Sequence, residues 1–447
     1  MTLRVVPPPA PNAADLLRQL SAYTDALLAA GDGAPAIVSQ TSWRDRLALS
    51  RTGEVRPTLA NVVAILANDA AWVQRIRWDS LTQTIVFAGG PPFEGVLAAP
   101  DDTPDGVRQI EDADLSRIRV WIAEHADYSG MEPALDTVFQ AVQVVAKNSP
   151  FHQVRAYLEG LPAWDGTGRV GAFARMLSAE ETVYHRMVCG WWLISAVARA
   201  WEPGCKVDTI LILEGPQGQN KSSAAAALVP RREWFTDSEL DMGADSAVEK
   251  LRGKWVIELP ELSSTKRGDV DRIKAFVSSQ SDTMRPKYGR LAQDFKRTCV
   301  FIGSVNPTGP YLNDASGARR FWPVRCSGVI DRDAIARDRD QIWAAALSLY
   351  RSGARWWPDT PEEKELLAGE VQKRTVADTW EDKVSLFLDG RVEVDMADVF
   401  THLGIDHSDH NPASIKRLGQ VLGVLGWEKT RINTGGKRKT VWVRPAV

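Results

Sequence analysis

The chain has 447 residues, 44% hydrophobic and 25% charged, with 33 Gly and 25 Pro. That is globular composition; it excludes collagen-like, largely disordered and disulfide-scaffold proteins, and the length suggests about two to four domains. With 54 Lys and Arg against 57 Asp and Glu, the net charge of −3 excludes a basic nucleic-acid coat, so any such partner has to be held by a local patch.

Residues 1–40 read as a Pro-rich tail with a helix at 13–30, and the first residues lack the apolar core of an export signal. Residues 41–150 read as an α+β module of unknown role. Helical spacing falls at 57–69, 112–123 and 132–147, and a strand pair at 73–78 and 84–88. Residues 151–206 are helical, broken at 162–166. Their most apolar run, 187–198, lies between Arg186 and Arg199 and is too short for the roughly 18–20 residues that span a bilayer. Cys189, Cys205, Cys299 and Cys326 have no metal-site or C-x-x-C spacing and read as buried thiols in a reducing compartment. A cytoplasmic protein without a membrane partner is expected.

From 207 to 330 the texture changes. Short β-branched runs (209–213, 255–259, 298–303) alternate with helical stretches, which implies crossover units and a largely parallel α/β sheet. Residues 331–394 read as a helical connector and 395–447 as a small basic unit.

The strongest signal comes directly after the run Ile210-Leu-Ile-Leu213. Gly215, Pro216, Gln217, Gly218, Gln219, Asn220, Lys221, Ser222 and Ser223 lead into an Ala-rich helix. Strand, glycine loop and helix N-terminus together aim backbone N–H groups at a triphosphate. Lys221 supplies a point charge for the β and γ phosphates, and the Ser222 hydroxyl suits Mg²⁺. ATP and Mg²⁺ are therefore the expected ligands. Asn220 stands where the motif has glycine; Asn tolerates a positive φ.

Three further segments fit phosphate cleavage. A strand pattern ends in Glu258 and Glu261, one carboxylate for the metal side and one to polarise water; Glu258 is assigned to the metal, the order being open. A third strand ends at Asn306, able to orient water or touch the γ phosphate. Arg319 and Arg320 come next: one is a candidate finger for a neighbouring subunit's nucleotide, the other an ion pair or same-subunit sensor. Between acids and asparagine, Lys287, Tyr288 and Arg290 suggest a hairpin tip suited to gripping and stacking on DNA.

From 411 onward eight basic residues face one acid. A helix at 412–425 and two strands about Gly435-Gly436 suggest a winged helix, with Lys416, Arg417, Lys437, Arg438 and Lys439 on DNA phosphates. The nearby His402, His407 and His410 are read as loop and solvent residues rather than metal ligands.

These motifs, in this order and with Lys274, resemble the virulence-associated E (VapE) proteins, phage and prophage P-loop ATPases allied to superfamily 3 and AAA+ helicases. Trp164-Asp165-Gly166 with Arg169, Ala198-Arg199, Pro203-Gly204 and Asp340-Gln341-Ile342-Trp343 extend the resemblance over about 158–357. It implies an AAA+/superfamily 3-like P-loop core behind a helical region, and an ATP-driven DNA helicase or translocase that forms a homo-oligomeric ring, a hexamer. It also implies Lys221 and Ser222 at nucleotide and Mg²⁺, Glu258 and Glu261 in hydrolysis, Asn306 as sensor and Lys287 on a pore hairpin. Residues 1–150 show no acidic palm motif, so primer synthesis is not expected. Two other classes fit some features: a DNA-binding nucleotide switch or scaffold, and a small-molecule phosphotransferase, which needs neither hairpin nor basic terminal unit.

Overall fold

The computed structural model describes residues 42–93, 106–242, 245–260, 262, 267–284, 292–307, 309–312, 318–376, 378–434 and 437–444. The expected helix at 13–30 lies outside them, as do Glu261, Lys287, Tyr288 and Arg290. The chain forms two compact units, the first made of residues 42–75, 91–93 and 111–145 among those described.

In the first unit, α1 (Leu59–Asn68) starts at Thr58, whose hydroxyl accepts from the Asn61 N–H. Val62, Ile65 and Leu66 lie at helical spacing and are buried, as are Ile118 and Ile122 of α2 (Asp112–Glu124) and Val138 and Val142 of α3 (Leu135–Asn148). The Tyr128 hydroxyl donates to Asp69 at 2.6 Å, and Arg44 lies 3.4 Å from Asp69 and 2.7 Å from Asp127.

The strands read into the 41–150 module belong to the second unit, so that module is two pieces rather than one. β1 (Ile76–Asp79) pairs antiparallel with β2 (Thr84–Ala88), β2 with β3 (Val107–Gln109), and β1 runs parallel to β4 (Pro150–Phe151). The intervening turn is held by buried Asp79, which accepts from the N–H groups of Leu81 and Thr82 and from the Thr82 hydroxyl. Arg252 donates to the carbonyls of Thr82 and Gln83, and the Gly253 N–H to that of Leu81. A two-residue partner strand more than seventy residues downstream is invisible to periodicity.

Helices α4 (Gln153–Glu159), α5 (Arg169–Met176) and α6 (Val183–Trp201) come next. The apolar run 187–198 lies inside α6, where every residue from Val188 to Ala200 is buried. Three indole N–H groups around this helix find carbonyl partners: those of Trp192, Trp255 and Trp343 donate to Phe301, Ala196 and Leu228 at 2.7, 3.0 and 2.7 Å. No helix among the described residues is long and apolar enough to cross a membrane. The Trp164–Arg169 turn is closed by Asp165, which takes two bonds from Arg169 and one from the Thr167 N–H; the Arg169 guanidinium holds its carboxyl down at about 2.

The central sheet is parallel. It contains β5 (Ile210–Glu214), β6 (Phe235–Thr236), β7 (Val256–Leu259), β10 (Val300–Val305) and β11 (Phe321–Arg325), in the order β11-β5-β10-β7-β6. Helices α7 (Lys221–Ala227), α8 (Asp245–Leu251) and α9 (Arg267–Ser278) lie between its strands in sequence. β5 is buried on both faces: Leu211 and Leu213 join the core around α6, Ile210 and Ile212 the core beside α9. β8 (Ser281–Met284) and β9 (Gln293–Lys296) form an antiparallel pair outside this sheet.

Beyond the sheet run α10 (Arg332–Arg351) and α11 (Pro361–Gln372). Then α12 (Glu381–Leu388), β12 (Glu393–Val394), α13 (Met396–His402), α14 (Pro412–Val424) and β14 (Lys437–Val443) share one small core, and β13 (Glu428–Thr434) pairs with β14. The expected boundary at 395 is therefore too late. β12 pairs with β14, and Val384 and Leu388 of α12 are buried with Leu418, Leu422 and Trp442.

Candidate functional site

The parallel register sets what meets at the carboxyl edge of the sheet. Val305 of β10 and Arg325 of β11 both stand level with Glu214, the last residue of β5. The chain then turns through 215–220 into α7. Two positive φ angles make the turn, +84° at Gly218 and +61° at Asn220. The Asn220 amide donates to the Ile330 carbonyl at 3.2 Å, and the Ile330 N–H to the Gln219 carbonyl at 3.1 Å, so asparagine closes the loop where glycine is usual and adds a tether. A Cβ at Gly215 would lie 2.9 Å from the Cys326 carbonyl oxygen, so that position has room for glycine alone.

Lys221, first in α7, donates to the carbonyls of Gly215 and Pro216 at 2.6 and 2.7 Å; burial pulls its pKa down. Ser222 is next, and its hydroxyl donates to Glu258 Oε1 at 2.6 Å. Glu258, third in β7 and 1% exposed, also accepts from the Ser304 hydroxyl at 2.7 Å. Its Oε2 is buried with no hydrogen-bond partner. A buried carboxylate oxygen left open beside a serine hydroxyl is a hard-oxygen environment that suits Mg²⁺.

Asn306 directly succeeds β10 and is exposed, while the Gly215 N–H donates to the carbonyl of Val305 just before it. The fold thus brings Lys221, Ser222, Glu258 and Asn306 to one sheet edge. Ser304 joins them unforeseen; the signal was a hydroxyl inside an otherwise apolar strand.

Arg319 and Arg320 are elsewhere. They precede β11, whose Phe321 is level with Ile210, so they lie at the opposite edge, about 13 Å or more along the strands from the loop. Arg320 donates to the Ser278 hydroxyl at 2.9 Å and lies 3.7 Å from Asp208. Arg319 is exposed. Neither lies near the loop 215–220, because the strand direction separates them from it.

β8 and β9 flank the segment expected as a hairpin tip. The base of the pair is fixed by Arg297, buried, with two bonds to Asp282 at 2.6 and 2.7 Å. Lys416 is exposed on α14, and Lys437, Arg438 and Lys439 lie on β14. Arg417 departs from expectation. Its guanidinium makes a fork to Asp378, a bond to Thr379, and sits 3.9 Å from the Trp380 ring centroid, so it holds α14 against 378–380 instead of facing solvent phosphates.

No curated protein matches the chain. Solved structures similar to it include the apo structure of the NrS-1 C terminal region (305–718), with 15% identity, TM-score 0.45, and coverage of 83% of this chain and 96% of that one. The A form apo structure of the NrS-1 C terminal region is 13% identical, with TM-score 0.42 and the same coverage. Residues 158–376 match the family model of the virulence-associated protein E-like domain.

Proposed function

We propose that the chain is an ATP-dependent DNA helicase or translocase of a phage or prophage replication system, hydrolysing ATP between subunits of a homo-oligomeric ring. The observation that carries this reading is the cluster of Lys221, Ser222, Glu258 and Ser304 beneath the loop 215–220, with one buried Glu258 oxygen left open. The strand order supports a P-loop core of the AAA+ kind, and the helix–strand–helix–helix–hairpin order of 381–443 supports a winged helix.

In this reading the N–H groups of the loop and the start of α7 bind the triphosphate, and Lys221 leaves the Gly215 and Pro216 carbonyls for the β and γ phosphates. Ser222 and Glu258 would hold Mg²⁺, which neutralises charge on the phosphate oxygens. Asn306, and Glu261 next to β7 in sequence, would orient water. Arg319 would reach the nucleotide of an adjacent subunit, since its own is out of reach. The basic hairpin, with Lys287, Tyr288 and Arg290, and the C-terminal Lys416, Lys437, Arg438 and Lys439 would contact DNA.

The test is ATP hydrolysis with and without single-stranded DNA, alongside strand displacement on a forked duplex. DNA-stimulated hydrolysis with unwinding, both lost in Lys221→Ala, is the expected result. DNA binding without turnover would replace the motor with a nucleotide switch, and hydrolysis indifferent to DNA would point to a small-molecule phosphotransferase.

A further inference from the structure

Directly before Gly215 stands a carboxylate that the proposed hydrolysis does not use. Glu214 is buried, and Arg374 grips both its oxygens, Nη2 to Oε2 at 2.7 Å and Nε to Oε1. The Tyr311 hydroxyl donates to Oε1 at 2.8 Å. Arg374 lies just beyond α11 and is itself steadied by Glu370 at 2.7 Å. The backbone repeats the connection: the N–H groups of Tyr311 and Leu312 donate to the Arg374 carbonyl, and that of Val376 to the Leu312 carbonyl, each at 2.9 Å.

One buried carboxylate therefore joins three segments: the strand end that launches the phosphate loop, the stretch after Asn306, and the start of the link to the C-terminal subdomain. A fork fixes orientation as well as distance, and a buried charge deprived of its partner regains water only if the structure opens. We infer that Glu214, Arg374 and Tyr311 form a positioning latch that holds the loop 215–220 in its triphosphate-receiving shape and ties it to the link ahead of residues 378–444. The latch rests on the proposed nucleotide site; the three residues act through the loop and touch no phosphate.

The test uses the full chain and two readouts: amide hydrogen exchange peptide by peptide without nucleotide, and the affinity for Mg²⁺ with a slowly hydrolysed ATP analogue. Arg374→Lys keeps the charge and loses the fork. It should speed exchange at 215–222 and weaken analogue binding, each about tenfold, as expected for one lost charge-assisted bond, while exchange in α6 is unchanged. Tyr311→Phe should act in the same direction by about threefold. The neutral pair Glu214→Gln with Arg374→Gln should resemble Arg374→Lys. Exchange and affinity within twofold of the parent, or exchange raised equally in α6 and the loop, would overturn the latch. Should Arg374→Lys fail to fold, Tyr311→Phe decides by the same criteria. A parent that binds no analogue would refute the nucleotide reading, and localised loop exchange alone would then decide the latch.

Discussion

The two edges of the parallel sheet hold different parts of the proposed site. At the carboxyl edge the loop, Ser222, Glu258, Ser304 and Asn306 converge within a single chain, with the Ser222 and Ser304 hydroxyls bonded to Glu258 at 2.6 and 2.7 Å. At the amino edge lies the basic pair: Arg320 is bound to Ser278 and Asp208, and Arg319 is exposed. In a parallel sheet, residues N-terminal to a strand gather at one edge and residues C-terminal to it at the other, so those placed before β11 serve another copy or none. A site that looks complete in sequence order is split by strand direction.

The sharpest way to break this contrast is Arg319→Ala. If that side chain completes a neighbour's site, hydrolysis should fall about 10³-fold with ATP binding kept. Mixing it with Lys221→Ala should restore part of the activity, because an interface whose loop comes from the Arg319→Ala chain and whose arginine comes from the Lys221→Ala chain is intact. Steady-state rates across mixing ratios check this; a loss that mixing never repairs contradicts action in trans. At the carboxyl edge, Glu258→Gln keeps the shape but not the charge, and should lower turnover by about 10²–10³-fold with the ATP dissociation constant little changed.

Smaller effects sharpen the comparison. Arg417→Ala should lower stability by about 1 kcal/mol, from a part-exposed pair and its indole contact, and leave DNA affinity nearly unchanged. Lys416→Ala should do the reverse, with unchanged unfolding and a salt dependence of DNA binding shallower by about one unit of slope. The smallest change belongs to Asn220→Gly. Glycine adopts the same backbone, so only the tether to Ile330 is lost, and hydrolysis should stay within about threefold.

How much of this could be read from residues alone depends on range. The loop was legible because strand, glycines, Lys-Ser and helix are contiguous, and Asn220 because its side chain tolerates the left-handed region it occupies. The apolar run in α6 was legible as too short for a membrane, while its burial from Val188 to Ala200 comes from packing across the sheet. Pairings across great separation were not. Glu214 and Arg374 lie 160 residues apart, and neither reads as more than a surface charge in its own segment. Arg417 illustrates the same gap, since its Asp378 partner lies 39 residues upstream, beyond any charge count over the C-terminal tail. β12, two residues long, carries no periodic signal and exists because the edge of β14 offers it bonds.

The central claim is that a triphosphate with its Mg²⁺ seats on the loop opening at Gly215, and calorimetric titration of Mg²⁺–ATP into the full chain tests it most directly. The expected result is saturable binding of one nucleotide per chain that Lys221→Ala abolishes and Arg319→Ala spares. A parent protein that takes up no ATP, or a Lys221→Ala variant that binds it as well as the parent, would contradict the claim.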